Sequence, residues 1–115
     1  MARGDIVLVD LPETKGSAGR EQVGTRPALI VHDDGTIKSF SVIMIVPFTS
    51  QISAQRFAHT IIVQPSALNG LSVPSVLLIF QLRAIDKTRI LKKIGQLESD
   101  VMNQVDIELR KLLSL

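Results

Sequence analysis

The chain has 115 residues, enough for one domain with one substantial hydrophobic core. It contains no cysteine, which excludes disulfide bonds and thiolate metal sites, and a reducing compartment such as the cytoplasm is expected. The formal net charge of +2 is too small to predict nucleic-acid binding by itself. Neither a signal peptide nor a membrane-spanning segment is predicted, because no apolar run approaches about 18 residues.

Short apolar runs separated by turn signals predict a mainly β protein. Five strands are expected, over residues 6–9, 28–31, 38–46, 59–63 and 76–79. Residues 11–26 and 48–56 are predicted to be irregular, with one turn of helix over 65–70. Residues 42–46 are apolar without alternation, so both faces of the third strand should be covered. Residues 90–97 fit either a helix or a further strand.

The end of the chain carries the pattern of an amphipathic helix. Its apolar residues fall at helical spacing: Val101, Met102, Val105, Leu109, Leu112 and Leu113. Ser99 is the expected N-cap, and the apolar stripe could pack on the sheet or on a second copy of the chain. Together these elements predict a small β-barrel of five to seven short strands with a C-terminal helix, in a single domain over residues 1–115.

Two junctions between loop and strand carry residues suited to phosphate chemistry. Arg26 ends a Gly/Ser-rich loop, and Pro27 restricts it to extended backbone before anything binds. A guanidinium held there can grip phosphate or carboxylate, although pairing with a nearby acid explains it equally well. Thr49 and Ser50 follow Pro47 and could either form a turn or donate hydrogen bonds to a phosphoryl group as its charge grows.

Other kinds of site find less support in the sequence. The two histidines, His32 and His59, have no spacing typical of a metal site, and His59 most simply has a structural role. The chain has no nucleophile elbow and no phosphate-binding P-loop. Five basic residues form a cluster that is either a solvated face or a track for phosphates: Arg83, Lys87, Arg89, Lys92 and Lys93.

Several groups of residues, taken together and in order, resemble the successive motifs of the MazF/PemK toxin family. They are Gly4-Asp5-Ile6-Val7, Gly16-Ser17 with Glu21-Gln22, Gly24-Thr25-Arg26-Pro27-Ala28, Phe48-Thr49-Ser50-Gln51, and Gln81-Leu82-Arg83-Ala84-Ile85-Asp86-Lys87. The resemblance implies an SH3-like barrel with a C-terminal helix that works as a homodimer. It implies a sequence-specific endoribonuclease that needs neither metal nor cofactor, cleaves single-stranded RNA such as mRNA, and leaves 2′,3′-cyclic phosphate and 5′-hydroxyl ends. It further implies an acidic antitoxin partner whose C-terminal segment lies in the RNA groove.

The resemblance also assigns residues to the site. Arg26 and Thr49 match the family's two catalytic residues; we expect Arg26 to clamp the scissile phosphate and Thr49 to contact a non-bridging oxygen. The general base could be Glu21, His59 or water. Phe48 and Phe57 could stack on bases, and the basic cluster becomes a phosphate track. The residues expected to contact RNA are Lys15, Gly16, Ser17, Arg20, Glu21, Gln22, Thr25, Phe48, Ser50, Gln51, Phe57, His59, Gln81 and Arg83.

Two rival functions use the same scaffold. One is a non-enzymatic toxin that poisons DNA gyrase through its C-terminal helix, although Leu112-Leu113-Ser114-Leu115 lacks the aromatic residues usual there. The other is a small binding module in which Arg26 only grips an acidic peptide. RNA cleavage in the presence of EDTA separates these functions from a ribonuclease.

Overall fold

The computed structural model describes residues 1–11 and 24–115, which form seven strands, three short 3₁₀ helices and one α-helix. The strands are β1 (Asp5–Leu11), β2 (Gly24–Ile30), β3 (Val42–Thr49), β4 (Thr60–Val63), β5 (Ser75–Leu78), β6 (Arg83–Asp86) and β7 (Ile90–Gln96). The 3₁₀ helices cover Ile52–Arg56, Ile79–Gln81 and Lys87–Arg89, and α1 covers Ser99–Leu113. Residues 90–96 are therefore a strand, which settles the ambiguity there.

All strand pairs are antiparallel, and β3 is the centre of the sheet. The order is β4-β5-β3-β2-β1-β7, with β6 also paired to β3. The mainly β fold with a C-terminal helix is confirmed, but within the described part of the chain no pairing joins β7 to β4 or β6. The sheet is therefore open rather than closed into the expected barrel. Its β4 end is contacted by α1 instead of by another strand.

The core has two apolar clusters because successive side chains along each strand point to opposite faces of the sheet. On β1, Ile6 belongs to one cluster and Val7 to the other. On β3, Val46 packs in the first cluster and Ile45 in the second. The prediction that both faces of the third strand are covered holds from Ile45 onward, but Val42 at the start of β3 is 43% exposed and Met44 is only partly buried.

Helix α1 packs its apolar stripe on the sheet of its own chain. Val105 is fully buried, and neighbouring apolar residues of the stripe pack against the same cluster. The N-cap is Glu98, not Ser99 as predicted. The Glu98 carboxylate accepts a hydrogen bond from Asn69 Nδ2 at 3.1 Å instead of capping the helix. This tertiary contact accompanies an N-cap at Glu98, one residue earlier than the capping preference of Ser99 predicts. The described residues include no helix with the length and apolar character needed to cross a membrane.

Strand β3 lies several residues later than predicted. Residues 38–40 belong to turns, because the Thr36 carbonyl accepts hydrogen bonds from the Ser39 and Phe40 amides. The strand continues through Pro47 to Thr49, which pairs with Val76 of β5. The prediction of irregular structure at residues 48–49 was therefore wrong, as it was for Gly24–Arg26, which open β2.

The loop over residues 66–70 docks on β7 through two glycines. Gly70 has a φ of 69° and its amide donates to the Ser66 carbonyl at 3.1 Å, closing the expected helical turn. A Cβ atom on Gly70 would collide with the Ile94 backbone, and one on Gly95 with the Asn69 backbone. Only residues without a side chain allow this approach.

Candidate active-site cleft

Strands β2 and β3 bring Arg26 and Thr49 side by side. The observed register pairs Ala28 with Pro47 and Leu29 with Val46, so the end of β3 that carries Thr49 lies near the start of β2 that carries Arg26. Both residues line one cleft. Arg26 Nη1 donates a long hydrogen bond of 3.5 Å to the Phe48 carbonyl. The guanidinium therefore contacts the end of β3, at the residue before Thr49.

The Arg26 guanidinium is partly withdrawn from water. Burial lowers its pKa from the ordinary value, because a desolvated cation loses part of its hydration. An arginine nevertheless keeps its charge in proteins at neutral pH. A partly desolvated cation of this kind interacts strongly with an anionic ligand.

The Thr49 side chain is almost completely buried, with 6% of its surface exposed. Its Oγ1 accepts a hydrogen bond from the Gln51 amide at 3.2 Å. A hydroxyl that accepts in this way still has its proton to donate. The turn-forming role and the ligand-donor role are thus compatible in one residue.

Arg26 and Thr49 open into a cleft of about 210 Å³. Its described lining residues are Thr25, Arg26, Pro27, Phe48, Thr49, Ser50, Leu71, Ser72, Val73 and Ser75. Among these ten, Arg26 is the charged residue and five carry hydroxyl groups. One fixed cation surrounded by hydroxyl donors is an arrangement suited to a phosphate group.

Residues 71–75 form one wall of the cleft, and sequence reasoning missed them. Ser75 Oγ donates to the Val73 carbonyl at 3.0 Å, which shapes this wall. The Ser- and Pro-rich run after Gly70 marks a loop in the sequence. Only the pairing of Thr49 with Val76 shows which loop lies beside the site.

The structure brings five of the expected site residues together. Thr25, Phe48 and Ser50 line the cleft with Arg26 and Thr49. Phe48 is 1% exposed, so its ring is unavailable for base stacking and its contribution is the carbonyl that holds Arg26. Gln51 follows the cleft-lining residue Ser50 in the sequence, and its backbone amide donates a hydrogen bond to Thr49.

Four other expected site residues do not line this cleft. His59 has a left-handed backbone, with φ 58°, and its Nδ1 lies 3.0 Å from Glu108 Oε2 of α1. Phe57 follows the first 3₁₀ helix and is half exposed. Gln81 ends the second 3₁₀ helix, and Arg83 opens β6 opposite Ile45.

The expected substrate loop falls largely outside the described residues. This holds for Lys15, Gly16, Ser17, Arg20, Glu21 and Gln22. Their assignment to RNA binding stays a prediction.

The basic cluster is divided between three elements: β6, the third 3₁₀ helix and β7. Arg89 Nη1 lies 3.7 Å from Asp10 Oδ2, and Lys93 Nζ lies 3.3 Å from Asp5 Oδ1. Ion pairing therefore accounts for two of the five cations, and the phosphate track stays a prediction.

Comparison with known proteins identifies similar chains over the whole length. The family model described as PemK-like, MazF-like toxin of type II toxin–antitoxin system matches residues 2–113. Endoribonuclease EndoA of Bacillus subtilis is 32% identical over 113 residues, covering 98% of this chain and 94% of the relative. Endoribonuclease MazF of Staphylococcus saprophyticus is 32% identical, covering 95% and 91%. A crystal structure of MazE–MazF from Deinococcus radiodurans matches with a TM-score of 0.74 and 26% identity, covering 100% of this chain and 96% of that one.

Proposed function

Because the chain belongs to the PemK-like, MazF-like toxins of type II toxin–antitoxin systems, we propose that it is a sequence-specific endoribonuclease acting on single-stranded RNA. The observation that carries the proposal is the cleft in which Arg26 and Thr49 lie together, with the cation partly desolvated and the hydroxyl proton available. The endoribonuclease names of two relatives at 32% identity support it.

In the proposed reaction the RNA supplies its own nucleophile. The 2′-oxygen attacks the adjacent phosphorus, the bond from phosphorus to the 5′-oxygen breaks, and the products are a 2′,3′-cyclic phosphate and a 5′-hydroxyl. Arg26 binds the non-bridging oxygens and stabilises the charge that grows on them in the transition state. Thr49 Oγ1 donates to one of these oxygens. The proton from the 2′-hydroxyl goes to a base, and the 5′-oxygen takes one from an acid or water.

The base is drawn from Glu21, His59 or water. The described lining of the cleft contains neither a carboxylate nor an imidazole. His59 is engaged by Glu108 of α1, which holds it on another part of the surface. Water, or Glu21, which precedes β2 in the sequence and lies outside the described residues, therefore suits the role better than His59.

The proposal includes two protein partners, a second copy of this chain and an acidic antitoxin. MazE–MazF structures from Deinococcus radiodurans contain a toxin of similar fold with its antitoxin. A positive net charge favours an acidic partner over a basic one. Because α1 packs most of its stripe on its own sheet, although Leu113 is 51% exposed, the second copy would mainly use surfaces other than that stripe.

The test is cleavage of a long single-stranded RNA by the purified protein in the presence of EDTA. We expect discrete fragments with cyclic phosphate and 5′-hydroxyl ends, and none with the Arg26→Ala variant prepared in parallel. Intact RNA under these conditions would overturn the proposal. Gyrase inhibition would then favour the non-enzymatic toxin, and binding of acidic peptides without either activity would favour the binding module.

A further inference from the structure

Two of the four phenylalanines meet on the surface, beside an arginine. The rings of Phe57 and Phe80 have centroids 5.7 Å apart and planes at 61°, and the Arg56 guanidinium carbon lies 4.8 Å from the Phe57 ring centre. Phe57 is 48% exposed and Phe80 39% exposed. We call these three residues the aromatic platform.

The platform keeps flat surfaces open to a ligand. In the edge-on contact between Phe57 and Phe80, the edge of one ring covers a face of the other ring only. Both rings are well exposed, so ring surface remains on which a third planar group can stack. The chain has no Tyr and no Trp, so exposed aromatic surface is scarce in it. Nucleobases stack on phenylalanine rings and on arginine planes, and a neighbouring cation suits the phosphate that accompanies each base.

Two chain segments connect the platform to the cleft. Thr49 is followed by Ser50, Gln51 and the first 3₁₀ helix, after which Phe57 comes directly. Thr49 also pairs with Val76, and Phe80 lies four residues further along. Four residues span at most about 14 Å, so an RNA strand bound in the cleft could extend to Phe80 over a few nucleotides.

We propose that the aromatic platform is a base-stacking subsite for a nucleotide flanking the one whose phosphate Arg26 binds. This inference rests on the proposed ribonuclease function and adds to it Arg56 and Phe80, which the sequence did not indicate. A stacked base binds without base-specific hydrogen bonds, so the platform contributes affinity and places the strand rather than selecting a sequence.

The test uses a mixed-sequence 12-nucleotide RNA in which 2′-fluoro groups replace the 2′-hydroxyls and so prevent cleavage. Affinity is measured by fluorescence anisotropy at one salt concentration for wild type and for the Phe57→Leu/Phe80→Leu double variant. We expect the double variant to bind about 5- to 160-fold more weakly, the range given by loss of one stacked base. The Phe40→Leu variant is the matched control, because Phe40 is also 48% exposed and contacts His32 instead.

A second RNA carrying abasic sites throughout separates stacking from damage to the fold. Wild type and double variant should bind it equally, since it offers no base to stack. Equal binding of the normal RNA by both proteins, or a change of oligomeric state in the double variant, would overturn the subsite. If wild type cleaves RNA and the double variant binds normally, only this inference fails; if wild type neither binds nor cleaves RNA, the proposed function fails with it.

Discussion

Arg26 and Thr49 occupy the cleft for different physical reasons, and the two should respond differently to substitution. Pro27 restricts the backbone of Arg26 and the Phe48 carbonyl accepts a hydrogen bond from its guanidinium, whereas the Gln51 amide orients the Thr49 hydroxyl. The extended backbone of Arg26 could be predicted from the sequence, because Pro27 restricts the preceding residue. The position of Ser72 could not, since its approach to the cleft depends on how β5 pairs with β3.

Removing either group should leave a folded protein with little activity. We expect Arg26→Ala and Thr49→Ala each to lower kcat/KM on a single-site fluorogenic RNA by about 100-fold or more, the effect of losing one preorganised donor. Thr49→Ser keeps the hydroxyl and should stay within about tenfold of wild type. Near-wild-type cleavage by either alanine variant would exclude that residue from the site.

The pH dependence should show no contribution from His59. Because Glu108 holds this imidazole away from the cleft, His59→Gln should leave kcat/KM within about threefold of wild type from pH 5 to 9. The pKa of Arg26 is lowered, which favours its neutral form only at high pH, so charge on the clamp should not limit the rate below pH 9. A large fall in kcat/KM in the His59→Gln variant would instead make His59 the base.

Among the elements, the docking of the 66–70 loop on β7 gives the sharpest expectation. Gly95→Ala should lower the free energy of unfolding by about 1–3 kcal/mol, because the added methyl group meets the Asn69 backbone rather than a flexible side chain. Urea denaturation measures this change. Gly35→Ala is the control: its Cβ would approach only the exposed Asp33 side chain, 3.1 Å away. Equal stability of the two variants would show that the loop moves away at little cost.

Some secondary-structure elements could be predicted from sequence patterns and others could not. The spacing of Val101, Val105 and Leu109 predicted α1, because one face of it is buried in the core. The start of β3 was misplaced because residues 36–40 form turns held by a backbone carbonyl, which hydrophobicity does not encode. Likewise, the N-cap depends on a hydrogen bond between Glu98 and Asn69, which lie 29 positions apart in the sequence.

At the scale of the whole molecule, the spread of positive charge should set the salt dependence of RNA binding. Lys87 and Lys92 lie in the basic cluster, and a Lys87→Gln/Lys92→Gln variant should bind 2′-fluoro RNA more weakly. If both contact phosphates, the slope of log affinity against log salt should become shallower by about 1.4, or 0.7 per contact. Lys111→Gln, on α1 beside Glu108, is the control and should leave the slope unchanged. An unchanged slope in the double variant would show that the cluster is only a solvated face.

The open sheet explains why the overall architecture was only partly predictable. The mainly β class and the terminal helix follow from local apolar runs and turn residues, but the short strand β6 was not among the five strands expected. Closure depends on which strands meet at the ends of the sheet, a question of long-range pairing. Here β3 divides its pairing, with Ile45 opposite Arg83 of β6 and Phe48 opposite Leu77 of β5.

Strand β3 has three neighbours, and one of its ends carries Thr49. Each backbone amide of β3 exchanges with deuterated solvent when the neighbour bonded to it opens, so exchange along the whole strand should require opening of β2, β5 and β6, which approaches global unfolding. Partial unfolding confined to the edge strand β4 or to the end of α1 would leave the Arg26–Thr49 pair assembled. We therefore expect activity in rising urea to persist until the whole chain unfolds in one cooperative step.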